Sequence, residues 1–363
     1  MTKPLVSVAM VVCNVDRFLA TAIESILRQT FTEFEFIIVD FGSRDNSKSI
    51  VTRYADSDSR IKFHEIRHSG LAEARNAACS LAQGRYIALM DADDIAVETR
   101  LMLQVEFMEK HPEVGVLGGL VEWIDARGQS LLTTRQPLAN REIQSALPEE
   151  NPLWQPTVLL RNEAFRSVGG YRSVFTQSED YDLWLRIAER FEIANLNRVV
   201  LRYRIHPDQV TLRKRREQVF CAMAAQAAAR SRRDGKQDLL NSAKEITPAL
   251  LATLGLSEVT QRRTLARGYL TWIRAMWATG QYSNALNAAI EILHSSDRQY
   301  AERWVITEVR FLVARIYWRQ KKFLRSIMTA GHAVMARPII LGRPLKPLLR
   351  RLGLIHGRVT ELP

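Results

Sequence analysis

The stretch GRYIALMDADD (residues 84–94) decides the fold, because it joins an apolar segment directly to an acidic cluster. Its centre, YIALM, is a short apolar run typical of a strand inside a sheet. Asp91, Asp93 and Asp94 follow at once. Two carboxylates separated by one residue at the end of a strand can direct their oxygens at a single divalent cation, because Mg²⁺ and Mn²⁺ prefer oxygen ligands.

This acidic cluster has two interpretations. As a metal site, it would hold a cation that neutralises the charge developing on a departing diphosphate. As a structural feature, Asp93 or Asp94 would cap a helix that begins near Ile95. The stretch itself leaves both open.

Strand and helix patterns alternate through the first half of the chain. Predicted strands are Val6–Val12, Phe36–Val39, Ile61–Ile66, Tyr86–Met90 and Val114–Leu117. Amphipathic stretches lie between them, which predicts an α/β fold with an open, mainly parallel, Rossmann-like sheet flanked by helices. Asn14, Asp40 and Asp91 each come just after a strand, so we expect them to meet in one crevice beyond the strand ends.

Three further positions carry polar side chains suited to a site. Asp40 is either an acceptor for a nucleobase or ribose, or a turn residue bonded to its own backbone. The cluster Ser178-Glu-Asp-Tyr-Asp182 can cap a helix or place a general base at a rigid helix start, and the two roles are compatible. His206 is more often structural in such a setting than a metal ligand.

Length and composition narrow the class of protein. The 363 residues suit two domains, and 47% hydrophobic residues predict a sizeable core. No apolar run approaches the length of a membrane-spanning helix, and no secretory signal is recognised. Three scattered cysteines form neither a disulfide framework nor a zinc pattern. We therefore expect a cytoplasmic protein.

The charge is divided unevenly along the chain. Residues 212–363 hold 27 Lys and Arg against 10 Asp and Glu, whereas residues 1–211 hold 24 against 29. We therefore expect a catalytic domain over 1–211 and a basic helical domain over 212–363. The basic half suggests an anionic contact, either a membrane surface or nucleic acid, with a solvated basic surface as the alternative.

Two stretches of the basic half are alike. In Trp272–Leu293 and Val313–Val334, the aromatic residues Trp277 and Trp318 correspond, as do Tyr282 and Phe323. Each stretch predicts a helix, a short polar turn and a second helix, faintly resembling tetratricopeptide hairpins. An ordinary helical bundle explains the pattern as well. The basic and apolar segment 337–351 suits a contact with anionic lipid or a tail packed on the protein itself.

The motifs, in their order along the chain, resemble the family 2 glycosyltransferases. The matching stretches are VSVAMVVCN (6–14), AIESILRQTFTEFEFIIVD (22–40), GSRDNS (42–47), GLAEARN (70–76), GRYIALMDADD (84–94), QPTVLLRNEAFRSVGGY (155–171), SEDYDLWLR (178–186) and YRIH (203–206). Together they cover about residues 4–211. The resemblance implies a GT-A catalytic domain followed by an all-α C-terminal domain.

The resemblance also implies roles at the donor site. Asp40 matches the aspartate that recognises the nucleoside, with Asn14 nearby, and Arg75 matches an arginine near the base and phosphates. Asp91 and Asp93 match the DXD motif, which holds the diphosphate and a Mn²⁺ or Mg²⁺ ion.

Three other positions match the catalytic part of the family pattern. Asp180 matches the catalytic base, with Glu179 beside it. His206 matches a histidine common in related sequences, which favours a third metal ligand.

Three positions depart from the family pattern. Cys13 stands where an aromatic residue often stacks on the base, Phe41 replaces a second aspartate, and Gln155 replaces a histidine. These departures weaken the identification of the donor as a uridine nucleotide. A UDP-sugar is favoured as donor, but the family chemistry does not require it.

The predicted function is inverting, metal-assisted transfer of a sugar from a nucleotide diphosphate to a hydroxyl of a glycan or lipid-linked acceptor. The acceptor loops are expected within residues 118–155 and before Ser178. The protein would lie at the inner face of the cytoplasmic membrane, with a protein partner or self-association through its helical half, and without nucleic acid. The alternative is a catalytically inactive nucleotide-binding domain carrying a helical interaction scaffold.

Overall fold

The computed structural model describes residues 3–67, 70–206 and 214–336. The strands are β1 (Val6–Val12), β2 (Phe34–Asp40), β3 (Ile61–Glu65), β4 (Tyr86–Asp91), β5 (Ile95–Ala96), β6 (Val114–Ile124), β7 (Ser130–Thr133), β8 (Leu159–Arg161) and β9 (Glu192–Arg204). The helices are α1 (Asp16–Leu27), α2 (Ser47–Ser57), α3 (Leu71–Ser80), α4 (Arg100–Lys110), α5 (Asn140–Ala146), α6 (Asn162–Ser167), α7 (Glu179–Ile187), α8 (Arg215–Arg233), α9 (Pro248–Thr253), α10 (Glu258–Ala278), α11 (Tyr282–His294), α12 (Arg303–Arg319) and α13 (Phe323–Ala336). The predicted tail contact over 337–351 lies outside the described residues.

The strands form one mixed sheet in the order β3-β2-β1-β4-β8-β6-β9-β5, with β7 on β6. The first four are parallel, as the alternation of strands and helices predicts. The pairing of β8 with β4 and β6 is antiparallel, which makes the second half of the sheet mixed. Every predicted strand is present, and the one beginning at Val114 is longer than expected.

The parallel half of the sheet is covered on both faces. Strand β2 is buried along its whole length, as its continuous apolar run FIIV indicates. On one face, the alternate β1 residues Val8 and Met10 pack with the apolar side of α1, including Ile23 and Ile26. Register pairs Val12 with Asp40 and Val11 with Asp91, so the polar ends of β2 and β4 lie at the same edge.

The interpretation of Asp93 or Asp94 as a helix cap is wrong. Ile95 and Ala96 form the short strand β5, which pairs antiparallel with β9, and the next helix begins at Arg100. Asp94 is fully buried, and its Oδ1 accepts the backbone N–H of Arg204 at 2.8 Å. The acidic cluster therefore joins the end of β4 to the end of β9.

The chain divides into two compact units, Met1–Leu254 and Gly255–Pro363. This division keeps the described residues 214–254 with the front half, whereas the sequence predicts a domain boundary after residue 211. The reason is packing, because helix α8 lies against helix α7. A change of periodicity in the sequence marks the end of the strands, but it does not show what the following helix packs on.

An ion-pair network connects α7 with the segment that follows α8. Fully buried Asp182 accepts hydrogen bonds from Arg172 and from Arg186, whose Nε lies 2.9 Å away. Arg172 also pairs with Asp238 at 2.9 Å, and Arg232 of α8 pairs with the same carboxylate at 2.6 Å. Buried charges are tolerated when they are paired in this way.

The second unit contains two helical hairpins. Helices α10 and α11 join through a turn at 279–281, and α12 and α13 join through a turn at 320–322. Trp277 contacts Tyr282 at 5.0 Å between ring centroids, and Trp318 contacts Phe323 at 4.8 Å. The helix-turn-helix prediction for both stretches is confirmed, with corresponding aromatic pairs closing corresponding turns. Among the described residues, no helix is long and apolar enough to cross a membrane.

We predict that Asp238→Asn destabilises the first unit by about 2 kcal/mol, because it removes one of the two carboxylates that pair with each of the largely buried guanidinium groups of Arg172 and Arg232. Chemical denaturation of the full chain measures the change. Burial alone raises the pKa of Asp238, but Arg172 and Arg232 lower it overall. The stabilisation is therefore present above the unfolded pKa and is lost as the pH falls through the folded pKa.

Asp234→Asn is the matched control, since Asp234 pairs with Lys236 on the surface. Equal stabilities of the two variants would contradict the structural role of the network.

Candidate active site

Arg75 of α3 occupies the centre of the predicted site. Its side chain is 11% exposed, and its Nη2 donates to Asp91 Oδ1 at 3.1 Å. Its Nη1 donates to Oε1 of Glu179, which is 4% exposed. One guanidinium therefore bridges the carboxyl end of β4 and the first residue of α7, two elements almost 90 residues apart in sequence. The predicted residues Arg75, Asp91 and Glu179 come together.

Asp180 lies next to this bridge without belonging to it. Its Oδ2 accepts a hydrogen bond from Asn151 Nδ2 at 3.0 Å. Burial and the neighbouring charge of Glu179 raise the pKa of Asp180 to about 7, although Arg75 and Asn151 act in the opposite direction. A carboxyl group with a pKa near neutrality is suited to accept and release a proton at physiological pH.

The acids at the start of α7 do not act as side-chain caps. The residue before the helix, Ser178, adopts a left-handed conformation with φ 53° and makes no capping bond through its side chain. Glu179 and Asp182 are instead paired with arginines, which leaves Asp180 to face Asn151. Strained backbone of this kind is often found where a side chain must be aimed at a site.

Asp93 and His206 form the second part of the site. His206 Nε2 lies 3.0 Å from Asp93 Oδ2, and the imidazole is 7% exposed. The ring of Phe18 lies 4.7 Å from the imidazole ring and fixes its position. Arg204 Nε donates to the backbone oxygen of Asp93 at 2.9 Å, so β9 holds both the cluster and the histidine.

The three predicted metal ligands are arranged as one pair and one separate residue. Asp93 contacts His206, whereas Asp91 is held by Arg75. Burial raises the pKa of Asp91 to about 6, even though Arg75 lowers it. Across the described ranges, no three His, Cys, Asp or Glu side chains converge as a metal cluster. The donor set fits an ion that takes other ligands from substrate phosphates, as Mg²⁺ commonly does.

Asp40 and Asn14 lie together at the other side of the strand ends. Oδ1 of Asp40 accepts the N–H groups of Gly42 at 2.9 Å and Ser43 at 3.0 Å, so the turn interpretation is correct for this oxygen. Its Oδ2 is buried and has no hydrogen-bond donor among the described residues. Asn14, at φ 53°, accepts the N–H of Arg44 at 2.8 Å. One oxygen of Asp40 therefore stabilises the turn, and the other has no hydrogen-bond donor among the described residues.

Several residues of the site are not apparent in the sequence. Asn151 and Arg204 act through long-range contacts that no local pattern marks. Trp123, Trp154 and Tyr203 form an aromatic cluster with centroid distances of 5.1–6.3 Å. Trp123 and Trp154 fall in or beside the predicted acceptor segment, and the register of Trp123 with Tyr203 on neighbouring β9 places the cluster near His206.

Known proteins are similar to this chain in sequence and in fold. The family described as Glycosyl transferase family 2 matches residues 7–169. The putative glycosyltransferase EpsE of Bacillus subtilis is 32% identical over 271 residues, covering 72% of this chain and 95% of its own. The O-antigen biosynthesis glycosyltransferase WbnJ of Escherichia coli is 32% identical, covering 56% of this chain and 80% of its own.

Solved structures have the same fold at low sequence identity. S. aureus TarS 1–349 in complex with UDP-GlcNAc superposes with a TM-score of 0.52 at 17% identity, covering 90% of each chain. The mannosyltransferase PcManGT from Pyrobaculum calidifontis, in complex with GDP-Man and Mn²⁺, has a TM-score of 0.50 at 18% identity, covering 91% of this chain and 88% of its own. The prediction of a GT-A domain followed by a helical region is confirmed.

The similarity to EpsE extends over nearly the whole length of that relative. The residues matched by the family model, 7–169, include Arg75, Asp91 and Asp93. The chain belongs to glycosyl transferase family 2 and is a glycosyltransferase.

Proposed function

We propose that this enzyme transfers a sugar from a nucleotide-diphosphate sugar to an acceptor hydroxyl with inversion at the anomeric carbon, using Asp180 as general base. The observation that carries the proposal is the position of Asp180, whose Oδ2 accepts a hydrogen bond from Asn151 at 3.0 Å beside a Glu179 that is paired with Arg75. The raised pKa of Asp180 supports it. Two adjacent carboxyl groups with different environments can have different roles. Glu179 is held by Arg75, and Asp180 remains able to take up a proton.

The reaction is a single displacement. The acceptor oxygen forms a bond to the anomeric carbon while the bond from that carbon to the diphosphate oxygen breaks. The proton of the acceptor hydroxyl passes to Asp180. Asn151 donates to one oxygen of this carboxylate and so orients the other oxygen towards the hydroxyl. The same hydrogen bond favours the charged form of Asp180, which is the form that accepts the proton.

The donor would be held by residues at the strand ends. The buried Oδ2 of Asp40 is available to accept a hydrogen bond from the nucleoside, and Asn14 shapes the neighbouring turn. Asp93 and His206 would hold a Mn²⁺ or Mg²⁺ ion, with Asp91 alongside. When bound, such an ion neutralises charge on the diphosphate. The favoured donor is a UDP-sugar, because TarS has a structure with UDP-GlcNAc, and GDP-Man in PcManGT is the second case to test.

The acceptor is proposed to be a glycan or a lipid-linked glycan, in the synthesis of a cell-surface polysaccharide. Two relatives carry names from this chemistry, O-antigen biosynthesis and amylovoran biosynthesis. The cluster of Trp123, Trp154 and Tyr203 offers aromatic faces that suit contact with a sugar ring. The inactive-scaffold alternative is disfavoured, because both acidic clusters are present and the chain belongs to an enzyme family.

We predict that Asp180→Asn lowers the rate of transfer by about 10²- to 10⁴-fold, because an amide cannot accept the acceptor proton. Donor affinity, measured by calorimetry with a panel of nucleotide sugars, should stay within a few-fold of the wild-type value. Transfer at the wild-type rate would exclude Asp180 as the base.

The pH profile tests the same role independently. Since the pKa of Asp180 is about 7 and its charged form is active, we expect kcat/KM to fall about tenfold per pH unit below pH 7. Asn151→Ala removes a hydrogen bond to the charged form of Asp180 and so raises the pKa of that carboxyl group. The fall of kcat/KM at low pH should therefore begin at a higher pH in this variant than in the wild type. If kcat/KM falls at the same pH in the wild type and in Asn151→Ala, Asp180 is not the general base.

We predict that Asp93→Asn and His206→Ala each raise the concentration of Mn²⁺ needed for half-maximal activity by about tenfold or more. Titration of transfer activity with Mn²⁺ measures the effect. His64→Ala is the control for the histidine, since His64 is exposed on β3. If both site variants have the metal dependence of the wild type, these residues are not the ligands.

A further inference from the structure

Helix α13 has an apolar surface that faces outward. Leu324 is 73% exposed, Ile327 62%, Met328 58% and Met335 76%. Their spacing of three, four and seven residues places them on one side of a helix. Scattered exposed apolar residues are ordinary on a protein surface, but a continuous stripe of four large ones on one helix indicates an interaction surface.

The opposite side of α13 packs on its own hairpin. Ser326 and Ala333, seven residues apart, are buried, and Ser326 Oγ donates to the backbone oxygen of Ala314 in α12 at 2.8 Å. The helix is therefore fixed by its small residues and presents its large apolar residues outward. This is the reverse of the usual arrangement, in which the large residues of a surface helix face the core.

The sequence on both sides of α13 carries only positive charge. From Val309 to Thr360 the sequence has 12 Lys and Arg and no Asp or Glu. Lys321, Lys322 and Arg325 are exposed in the turn before α13 and in its first turn. Basic residues beside an apolar helix face are typical of a helix that lies in the interface of an anionic bilayer.

Charge also argues against the other occupants of the surface. A second copy of the chain would bring two basic surfaces together, and like charges oppose such contacts. Residues 337–363 have six Lys and Arg and a single acid, so the same repulsion applies to them. Anionic lipid is the partner whose charge and apolar interior complement both features.

We propose that α13 docks this protein on an anionic membrane surface, with Leu324, Ile327, Met328 and Met335 entering the lipid and Lys321, Lys322 and Arg325 contacting the headgroups. The helix lies in the plane of the interface. This docking goes beyond the transfer chemistry and does not depend on it, because all the residues involved belong to the helical hairpin.

The test is flotation of the full chain with vesicles of phosphatidylcholine, with and without phosphatidylglycerol. The wild type should bind the anionic vesicles, and salt should weaken this binding. The variant Leu324→Gln/Ile327→Gln/Met328→Gln should bind at least about tenfold more weakly. Glutamine keeps the helix propensity of these exposed positions, so the variant should remain folded.

A second variant measures the contribution of the basic residues to vesicle binding, and a third is a control. Lys321→Gln/Lys322→Gln/Arg325→Gln should lower affinity about tenfold or more and reduce the salt dependence. The matched control is Met102→Gln/Ile290→Gln, which removes apolar side chains that are about 40% exposed on other helices and should leave binding unchanged. Thermal unfolding and nucleotide binding verify that each variant is folded.

Several results would overturn the proposal. The first is a wild-type chain that does not bind anionic vesicles, or binds neutral ones equally well. The second is unchanged binding by the α13 variant, which would place the membrane contact elsewhere, including residues 337–363. The third is a dimer in solution that the α13 variant dissociates, which would identify a second copy as the occupant.

Discussion

The candidate active site depends on the buried guanidinium of Arg75. Asp91 ends a strand and Glu179 begins a helix, and each carboxylate would be costly to bury without a positive partner. Arg75 supplies that partner to both. Helix α3, strand β4 and helix α7 are thereby held in one arrangement by a single side chain. The carboxylates at the end of β4 and at the start of α7 are therefore positioned together, because both pair with the same cation.

The pairing of Glu179 has a consequence for its neighbour. Burial raises the pKa of Asp180, and the neighbouring charge of Glu179 raises it further. The two successive acids have different partners, since Glu179 faces the guanidinium of Arg75 and Asp180 faces the amide of Asn151. Asp182, on the next turn of the helix, has a third environment between Arg172 and Arg186. Side-chain partners, more than sequence position, distinguish the three carboxylates.

Two arginines connect the candidate site to strand β9 and to the segment that follows α8. Arg204 joins β9 to the acidic cluster through the backbone of Asp93 and through Asp94, so the histidine that follows β9 reaches Asp93. Arg172 connects α7 to Asp238, beyond α8. The segment 214–254 is therefore connected to the first unit through ion pairs, although the sequence groups it with the basic half. The amphipathic hairpin helix α13 provides a surface of a different kind, apolar and basic.

The sequence by itself determined the parallel strands, the edge at which Asn14, Asp40 and Asp91 lie, and the two hairpins, because these depend on local periodicity and on the alternation of strand and helix. Its motif order also determined the family. Only the tertiary structure decided the pairing of Arg75 with Glu179, the role of Asn151, the short strand after Asp94 and the unit boundary at Leu254. These features depend on contacts between residues far apart in the chain. A local pattern cannot specify how deeply a carboxylate is buried or which distant charge it meets, and these two factors together set its pKa.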